Sequence, residues 1–225
     1  MPQHRIIIAL DGPAGSGKST TARRVAQHLG YVYIDTGAMY RAITLAALRN
    51  RIPLDNQVFT MLVESSHIEL VPSEQGQRTL LNGEDVSEEI RSVQVTEAVS
   101  GVSSLSVVRT ALVERQRELG AAGGIVMDGR DIGTVVFPAA ELKVFLVASL
   151  EERARRRLAE LGDKAHGISL QEMCRQIQER DRQDSERELS PLRKADDAVE
   201  IDTSALSIDD QVQRILTLVK ERIHA

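Results

Sequence analysis

The stretch IIIALDGPAGSGKST, which runs from Ile6 to Thr20, decides the fold of this chain. It opens with apolar, mostly β-branched residues, which are typical of a strand buried on both faces of a parallel sheet. Residues 12–19 then fit the pattern G-x-x-x-x-G-K-S/T at every fixed position, and an amphipathic segment follows up to Leu29, with Gly30 as a helix stop. A strand, this loop and a helix in that order indicate a phosphate-binding loop, and a plain glycine-rich turn is the weaker alternative.

The residue types in this loop match the chemistry of polyphosphate binding. Glycines at positions 12, 15 and 17 permit the curvature with which backbone N–H groups converge on a phosphate. The N-terminus of the following helix adds its partial positive charge. We therefore expect Lys18 to reach the β- and γ-phosphates of a nucleotide and the Ser19 hydroxyl to face Mg²⁺.

The composition is that of an ordinary acidic globular chain, with 225 residues, a net charge of −5 and 3% aromatic residues. This length fits one α/β domain, with or without an insert, and an acidic chain with few aromatic residues argues against a nucleic-acid binder. No apolar run approaches the roughly 20 residues of a membrane span, and the histidines have no metal-ligand spacing. Cys174 is the only cysteine and the segment ahead of the loop is short for a signal peptide, so we expect a cytoplasmic protein.

Further short apolar runs predict strands at residues 31–34, 124–127, 142–147 and 198–201. With the first strand they make about five parallel core strands, mostly separated by helices, and hence an α/β sheet with helices on both faces. Polar clusters follow two of these strands, at residues 35–41 and 128–133, and ligands of α/β folds bind at the carboxyl ends of strands. Arg41, in the first turn of the next helix, is either a ligand-binding or a solvated arginine. Asp128, Arg130 and Asp131 suit Mg²⁺ and phosphate, or an internally paired turn.

Two segments depart from this alternation of strands and helices. Residues 67–71 alternate apolar and polar side chains, residues 78–81 suit a partner strand, and Asn82-Gly83 favours a tight turn into a third strand near Val86, so we expect an antiparallel insert within residues 62–100. A helix that starts with a capping box at Ser149 carries arginines at positions 153, 155, 156 and 157 and enters the glycine-flanked loop 161–167. These arginines suit a lid that closes over phosphates, or else a solvated helix face.

The helix expected after Ser169 has an apolar face that turns into charge. Its apolar positions recur at helical spacing, and they are Leu170, Met173, Cys174 and Ile177. The same face continues with Arg180, Asp181, Asp184 and Arg187. Charged groups on a core-facing stripe must be paired or bound to a ligand, unless the helix simply emerges into water here.

The motifs beyond the loop resemble those of one kinase family. The sequence lacks the N-K-x-D signature of GTPases, and a phosphate loop with a second cationic site suits a small-molecule kinase. From end to end the chain resembles the bacterial cytidylate kinases, which are nucleoside monophosphate kinases. The motifs that carry the resemblance are LDGPAGSGKST at 10–20, DTGAMYRA at 35–42, LNGEDVSEEIR at 81–91, IVMDGRDIGTVVFP at 125–138, EERARRR at 151–157 and ERDRQDSER at 179–187.

The resemblance implies a reaction in pyrimidine nucleotide metabolism, in which ATP and CMP or dCMP give ADP and CDP or dCDP with Mg²⁺. It implies a P-loop kinase core at residues 1–61 and 101–225, an inserted monophosphate-binding subdomain at 62–100 and a short lid at 153–168. It also implies a monomer that binds neither a nucleic-acid polymer nor a membrane. A P-loop kinase for UMP, AMP or shikimate is an alternative, and so is a non-catalytic nucleotide-binding regulator.

The resemblance also implies site residues. Those for the ATP phosphates are Gly12, Pro13, Ala14, Gly15, Ser16, Gly17, Lys18, Ser19 and Thr20. Those for CMP are Thr36, Arg41, Ser100, Arg109, Arg130, Asp131, Arg180, Asp184 and Arg187, of which Ser100 and Arg109 read cytosine while Arg180 and Asp184 contact the sugar. The implied catalytic residues are Lys18, Arg130, Arg156, Arg157 and Arg187, and the implied residues for Mg²⁺ are Ser19, directly or through water, and Asp128.

Overall fold

The computed structural model of the chain describes residues 5–73, 76–165 and 167–223, so residue 166 of the expected lid lies outside the described part. The strands are β1 (Ile7–Asp11), β2 (Val32–Asp35), β3 (Ile68–Ser73), β4 (Gly76–Leu81), β5 (Glu84–Asp85), β6 (Ile125–Gly129), β7 (Leu142–Val147) and β8 (Val199–Asp202). The α-helices are α1 (Lys18–Leu29), α2 (Thr36–Arg49), α3 (Asn56–Ser65), α4 (Val93–Ser104), α5 (Ser106–Gly120), α6 (Leu150–Leu161), α7 (Leu170–Glu186) and α8 (Ile208–Ile223). Short 3₁₀ segments lie at Glu89–Arg91 and Gly162–Ala165, and a π-helical turn lies at Ile132–Val136.

A parallel sheet of five strands forms the centre and confirms the predicted α/β class. Its strand order is β2-β6-β1-β7-β8, and every neighbouring pair is parallel. The register pairs Asp11 with Gly129 and Asp35 with Asp128. The carboxyl ends of β1, β2 and β6 therefore meet at one edge, where the phosphate loop and both polar clusters begin.

Helices cover both faces of this sheet, because successive residues of a strand point to opposite sides. Ile8 of β1 belongs to an apolar cluster with Val25 of α1 and Ile215 of α8. Its neighbour Ala9 belongs to a second cluster that includes Val113 of α5. The continuous apolar run of β1 thus has a core to fill on each face, as the sequence predicts.

The predicted antiparallel insert is also present. Strands β3, β4 and β5 form a separate antiparallel sheet in which Ile68 pairs with Leu81. Asn82 and Gly83 have φ values of 52° and 83° in the turn before β5. These positive values explain why an Asn-Gly pair occupies that turn.

Helices α3 and α4 flank these strands, at positions where the sequence-based expectation places no helix. Asp55 accepts backbone hydrogen bonds from the first turn of α3 at 2.9 and 3.2 Å, and Ser92 caps α4 in the same way at 3.4 Å. Phe59 of α3 and Val99 of α4 share one apolar cluster with Ile43 of α2. Each helix crosses one of the expected insert limits, at residues 61/62 and 100/101.

Two arginines differ from their expected places on helices. Helix α2 begins at Thr36, so Arg41 lies in its second turn and the expectation of the first turn is wrong. Helix α7 ends at Glu186, and Arg187 follows it with an extended backbone, so it does not continue the helical face. In the described part of the chain, we find no helix whose length and apolar character would allow it to cross a membrane.

Candidate active site at the carboxyl edge of the sheet

A cavity of about 510 Å³ opens at the carboxyl edge of the main sheet. Its walls come from the phosphate loop and α1, from the ends of β2 and β6, from the insert, and from helices α2, α4, α5, α6 and α7. The expected site residues that line it are Ala14, Gly15, Gly17, Lys18, Ser19, Thr20, Thr36, Arg41, Ser100, Arg109, Asp128, Arg130, Asp131, Arg157, Arg180, Asp184 and Arg187. Four expected residues lie elsewhere, and these are Gly12, Pro13, Ser16 and Arg156.

The phosphate loop has the tight geometry that its glycines predict. Gly12 has a φ of 148°, and a Cβ at this position would overlap the main-chain oxygen of Leu146 in β7. Lys18 is buried, and its ammonium donates hydrogen bonds to the main-chain oxygen of Pro13 at 2.7 Å and to Ser16 Oγ at 3.3 Å. Burial, and secondly the charge of Arg130, lower the pKa of Lys18 well below its ordinary value. An anion held in the loop would favour the charged ammonium.

Three hydroxyl groups surround Asp128 at the end of β6. Ser19 Oγ donates to Oδ2 of the carboxylate at 2.8 Å, and the Tyr33 hydroxyl donates to Oδ1 at 2.9 Å. Thr36 Oγ1 donates to the main-chain oxygen of the same residue at 2.8 Å. Burial, and secondly the negative charge of Asp35, raise the pKa of Asp128 to about 6. A cation next to this carboxylate would favour its charged form.

The donors near the loop fit Mg²⁺. The Ser19 hydroxyl and the Asp128 carboxylate are hard oxygen donors beside the phosphate loop. Within residues 5–73, 76–165 and 167–223 there is no group of three or more His, Cys, Asp or Glu side chains that could hold a metal ion by itself. Mg²⁺ is usually bound by one or two protein oxygens together with phosphates and waters, so this sparse donor set suits it.

Buried and half-buried arginines with carboxylate partners form the opposite wall of the cavity. Arg109 of α5 is only 3% exposed and pairs with Asp131, while Arg130 Nε donates to Asp184 Oδ2 at 2.9 Å. Arg187 NH1 lies 3.7 Å from the other oxygen of Asp184. Burial is the largest single influence on the pKa of Arg130 and would lower it, but the charge and hydrogen bond of Asp184 and the charges of Asp128 and Asp181 together outweigh burial and raise that pKa. The Asp184 carboxylate thus holds the Arg130 guanidinium in place and charged.

This arginine cluster has capacity for an anionic or polar ligand. Among the residues that the structure describes, buried nitrogens without a hydrogen-bond partner include Arg109 Nε, Arg180 Nε and Arg187 NH2. Burial, and then the charge of Arg130, lower the pKa of Arg180 to about 10. Burial, and then the charge of Arg180, lower the pKa of Arg41 to about 9. Unpaired buried donors and crowded cations are both costly, and a bound phosphate would relieve both.

The arginines of helix α6 have different partners. Arg157 lines the cavity and pairs with Glu160 at 3.0 Å. Arg156 does not line the cavity, although its guanidinium lies beside the phosphate loop, 3.6 Å from where a Cβ at Gly17 would be. That guanidinium donates to the main-chain oxygen of Thr203 at 2.7 Å and to Thr203 Oγ1 at 3.1 Å. Only Arg157 of these two therefore lies on the cavity wall.

Arg153 is tied to the phosphate loop, although no sequence signal separates it from the other arginines of α6. It donates to the main-chain oxygen of Ala148 at 3.1 Å and to that of Ala14 at 3.3 Å, and it pairs with Asp181 of α7. The helix packs so closely on the loop that a Cβ at Gly15 would lie 3.0 Å from the Arg153 Cβ. Arg153 thus connects the phosphate loop, the segment that follows β7, and α7.

Asp11 and Tyr33 also escape prediction from sequence. Both carboxylate oxygens of Asp11 accept backbone hydrogen bonds, from Ile132 at 2.9 Å and from Gly133 at 2.7 Å. A carboxylate at the end of an apolar strand is itself a signal of special function, and here it fixes the chain directly after Asp131. Tyr33 has no such signal, because a tyrosine near the end of a strand is common.

Known proteins resemble this chain in sequence and in fold. The family model described as cytidylate kinase matches residues 8–221. The cytidylate kinase of Geobacillus kaustophilus (strain HTA426) is 54% identical over 222 residues, covering 98% of this chain and 99% of that protein. The cytidylate kinase of Bacillus cereus (strain ATCC 10987 / NRS 248) is 53% identical over 216 residues, covering 96% of each. Among solved structures, the shikimate kinase from Acinetobacter baumannii in complex with shikimate has a TM-score of 0.51 at 17% identity, covering 97% of this chain and 95% of that chain, which shows a shared fold.

Proposed function

The chain belongs to the cytidylate kinase family, and from this premise we propose that its cavity phosphorylates CMP and dCMP with ATP. An oxygen of the CMP phosphate forms a bond to the γ-phosphorus of ATP while the bond from that phosphorus to the β–γ bridging oxygen breaks, giving CDP and ADP. One observation carries the proposal: the phosphate loop and the cluster of buried and half-buried arginines line the same cavity. A protein that only bound ATP would need the loop alone.

The loop side of the cavity binds ATP in this proposal. Residues 12–20 form the loop for the phosphates, in which Gly12, Pro13 and Ser16 lie behind the cavity wall and Lys18 contacts the β- and γ-phosphates. Arg157 approaches the transferring group from α6, in keeping with its place on the cavity wall. Arg156 acts through the orientation of α6, because its guanidinium is bound to Thr203.

The arginine side of the cavity binds CMP. Arg41, Arg130 and Arg187 hold the acceptor phosphate. The proposed contacts to the base and sugar come from Thr36, Ser100, Arg109, Asp131, Arg180 and Asp184. The unpaired buried nitrogens of this wall support the assignment, because a substrate would complete their hydrogen bonds.

Positioning and charge neutralisation account for catalysis here. Phosphoryl transfer passes through a loose transition state, so the protein mainly aligns the two phosphates and offsets their charge. The attacking oxygen of CMP is already ionised, so no general base is required. Ser19 and Asp128 would hold Mg²⁺, which when bound supplies charge neutralisation at the β- and γ-phosphates. Exclusion of water by α6 and the insert would limit hydrolysis of ATP.

The alternatives explain fewer of these features. A kinase for shikimate would share the fold but would have no need of the insert or of the Arg180 and Asp184 pair. A nucleotide-binding regulator would have no need of the arginine wall. The proposal also includes a monomeric enzyme of the cytoplasm, and the single free Cys174 is in keeping with a reducing compartment.

An acceptor panel tests the proposed function. ADP formation from ATP and Mg²⁺ would be measured with CMP, dCMP, UMP, AMP and shikimate offered separately. We expect strong turnover with CMP and dCMP and weak turnover with UMP. Turnover with AMP or shikimate alone would overturn the acceptor assignment, and ATP binding without transfer to any acceptor would favour the regulator.

A further inference from the structure

Tyr33 places one polar atom at the cavity and its ring in the core. Its ring packs against the apolar cluster that contains Ile8 and Val126, and the residue lines the cavity. Its hydroxyl donates to Asp128 Oδ1 at 2.9 Å. The sheet register explains this reach, because Tyr33 pairs with Val126, two residues before Asp128 on the neighbouring strand.

The Tyr33 hydroxyl holds one of the two carboxylate oxygens of Asp128. Ser19 Oγ donates to the other oxygen at 2.8 Å, and Thr36 Oγ1 donates to the main-chain oxygen at 2.8 Å. Ser19 is itself a residue that would turn toward a bound ion. With Ser19 so engaged, Tyr33 would be the side chain that keeps the carboxylate from rotating.

We propose that Tyr33 is a positioning residue for the Mg²⁺ that accompanies ATP, because its hydroxyl fixes the Asp128 carboxylate in the orientation that faces the ion. This inference rests on the proposed function, in which Ser19 and Asp128 hold Mg²⁺. The Tyr33 hydroxyl is a neutral donor, so it orients the carboxylate without neutralising the negative charge that attracts the cation. Each carboxylate oxygen accepts more than one hydrogen bond or metal bond, so the contact with Tyr33 leaves room for the ion or its water.

The expected effect follows from other metal sites. Removing an outer-shell partner of a metal ligand typically costs about 10–100-fold in metal affinity. The variant Tyr33→Phe removes only the hydroxyl and keeps the ring in its apolar cluster. A purely structural role of Tyr33 would change the melting temperature but would leave the dependence of ATP binding on Mg²⁺ intact.

Calorimetric titration with a non-hydrolysable ATP analogue provides a readout that needs no turnover. The dissociation constant is measured once in EDTA and once in excess Mg²⁺, and the ratio of the two is the Mg²⁺ enhancement. We expect Tyr33→Phe to bind the analogue normally in EDTA and to reduce the enhancement about tenfold. Tyr31→Phe is the matched control, because its hydroxyl accepts a bond from the Ile6 backbone at 3.3 Å and does not contact Asp128.

The variants Ser19→Ala and Asp128→Asn distinguish a failure of the proposed Mg²⁺ site from a failure of the positioning role of Tyr33. If both reduce the enhancement while Tyr33→Phe stays within about twofold of the wild type, the positioning role of Tyr33 is overturned and the proposed function stands. An equal loss in Tyr31→Phe would also overturn it, because general loosening of β2 would then explain the result. If the wild type shows no enhancement, or neither ligand variant reduces it, the Mg²⁺ site fails together with this inference, and the acceptor panel decides the kinase activity separately.

Discussion

Replacing Asp184 with alanine should weaken CMP binding selectively, because this carboxylate holds Arg130 and Arg187 on the arginine side of the cavity, where we propose that CMP binds. Asp184 is 5% exposed, and its Oδ2 accepts the bond from Arg130 Nε at 2.9 Å. Its Oδ1 lies 3.7 Å from Arg187 NH1. Burial would raise the pKa of Asp184, but the charges of Arg130, Arg180 and Arg187 outweigh it and hold the pKa below its ordinary value. The group is therefore charged at neutral pH.

The expected loss of stability follows from the ion pair of Asp184 with Arg130, and the expected loss of CMP affinity follows from the proposed contact of Asp184 with the sugar. Removal of one partner from a buried ion pair costs about 3–5 kcal/mol of stability, and the lower end applies because the Arg130 side chain is 21% exposed at the cavity. A hydrogen bond to a charged group contributes about 1.5–3 kcal/mol, which corresponds to roughly 10–150-fold in CMP affinity. The proposed site for the ATP phosphates is the loop side of the cavity, so ATP affinity should change by about twofold or less.

Calorimetry with each nucleotide alone and urea unfolding measure the two effects. Glu200→Ala is the control, because its pair with Lys194 at 3.1 Å is about half exposed and such pairs contribute roughly 1 kcal/mol or less. The pKa of Asp184 is lower in the folded protein than in the unfolded chain. Its contribution to the free energy of unfolding is therefore present above the unfolded pKa of about 3.9, and it disappears as the pH falls through the folded pKa. Equal losses in CMP and ATP affinity, or CMP binding as tight as in the wild type, would refute the reasoning.

Three other variants test the loop side of the cavity. Lys18→Ala should lower kcat by at least about 10²-fold without unfolding the protein, and near-full turnover in a coupled ADP assay would contradict the loop assignment. Gly12→Ala should destabilise the fold by about 1–3 kcal/mol and weaken ATP binding, because the new Cβ overlaps a main-chain oxygen of β7; unchanged melting and ATP affinity would argue against that clash. Arg153→Met keeps the aliphatic stem but leaves Asp181 without its arginine, so we expect a loss of about 3 kcal/mol in urea unfolding and weaker ATP binding. Arg155→Met, on the exposed face of the same helix, is its control, and equal behaviour of the two variants would remove any special role for Arg153.

The central sheet is predictable because local signals suffice for it. The apolar run of β1 has a core on both faces, and the loop pattern that follows it fixes a strand, a turn and a helix in order. The same holds for β6 and β7, which are short apolar runs between polar segments. Parallel pairing then follows, since helices separate these strands.

Helices α3 and α4 have local helix-start signals, but the strand pattern between them outweighs these signals in a prediction from sequence. Asp55 and Ser92 each stand at a helix start with the side chain accepting backbone hydrogen bonds, and both residue types are favoured caps. The alternating strands between them dominate the pattern of residues 62–100 and suggest an all-strand insert. The buried Phe59 and Val99 belong to a cluster shared with α2, and that shared core is not visible from local periodicity.

Contacts with residues that are distant in sequence explain why the arginines of α6 differ from the sequence-based expectation. Arg153, Arg156 and Arg157 lie within five residues, yet their guanidinium groups meet Ala14, Thr203 and Glu160 respectively. Two of these partners are 139 and 47 residues away in the chain. No spacing rule within α6 distinguishes an arginine that contacts the loop from one that faces the cavity, so the assignment needs the tertiary structure.

The contacts of helix α7 explain why one of its faces changes from apolar to charged residues. Asp181 pairs with Arg153, which also donates to the phosphate loop, and Asp184 pairs with Arg130 on the arginine side of the cavity. These two carboxylates are three residues apart, so they point to neighbouring directions from the same helix. A helix that simply emerged into water would leave Asp184 exposed, and it is buried. Arg180 lies on this face with an unpaired buried nitrogen, so one helix links the two walls of the cavity and carries a free donor that the proposed function assigns to the sugar of CMP.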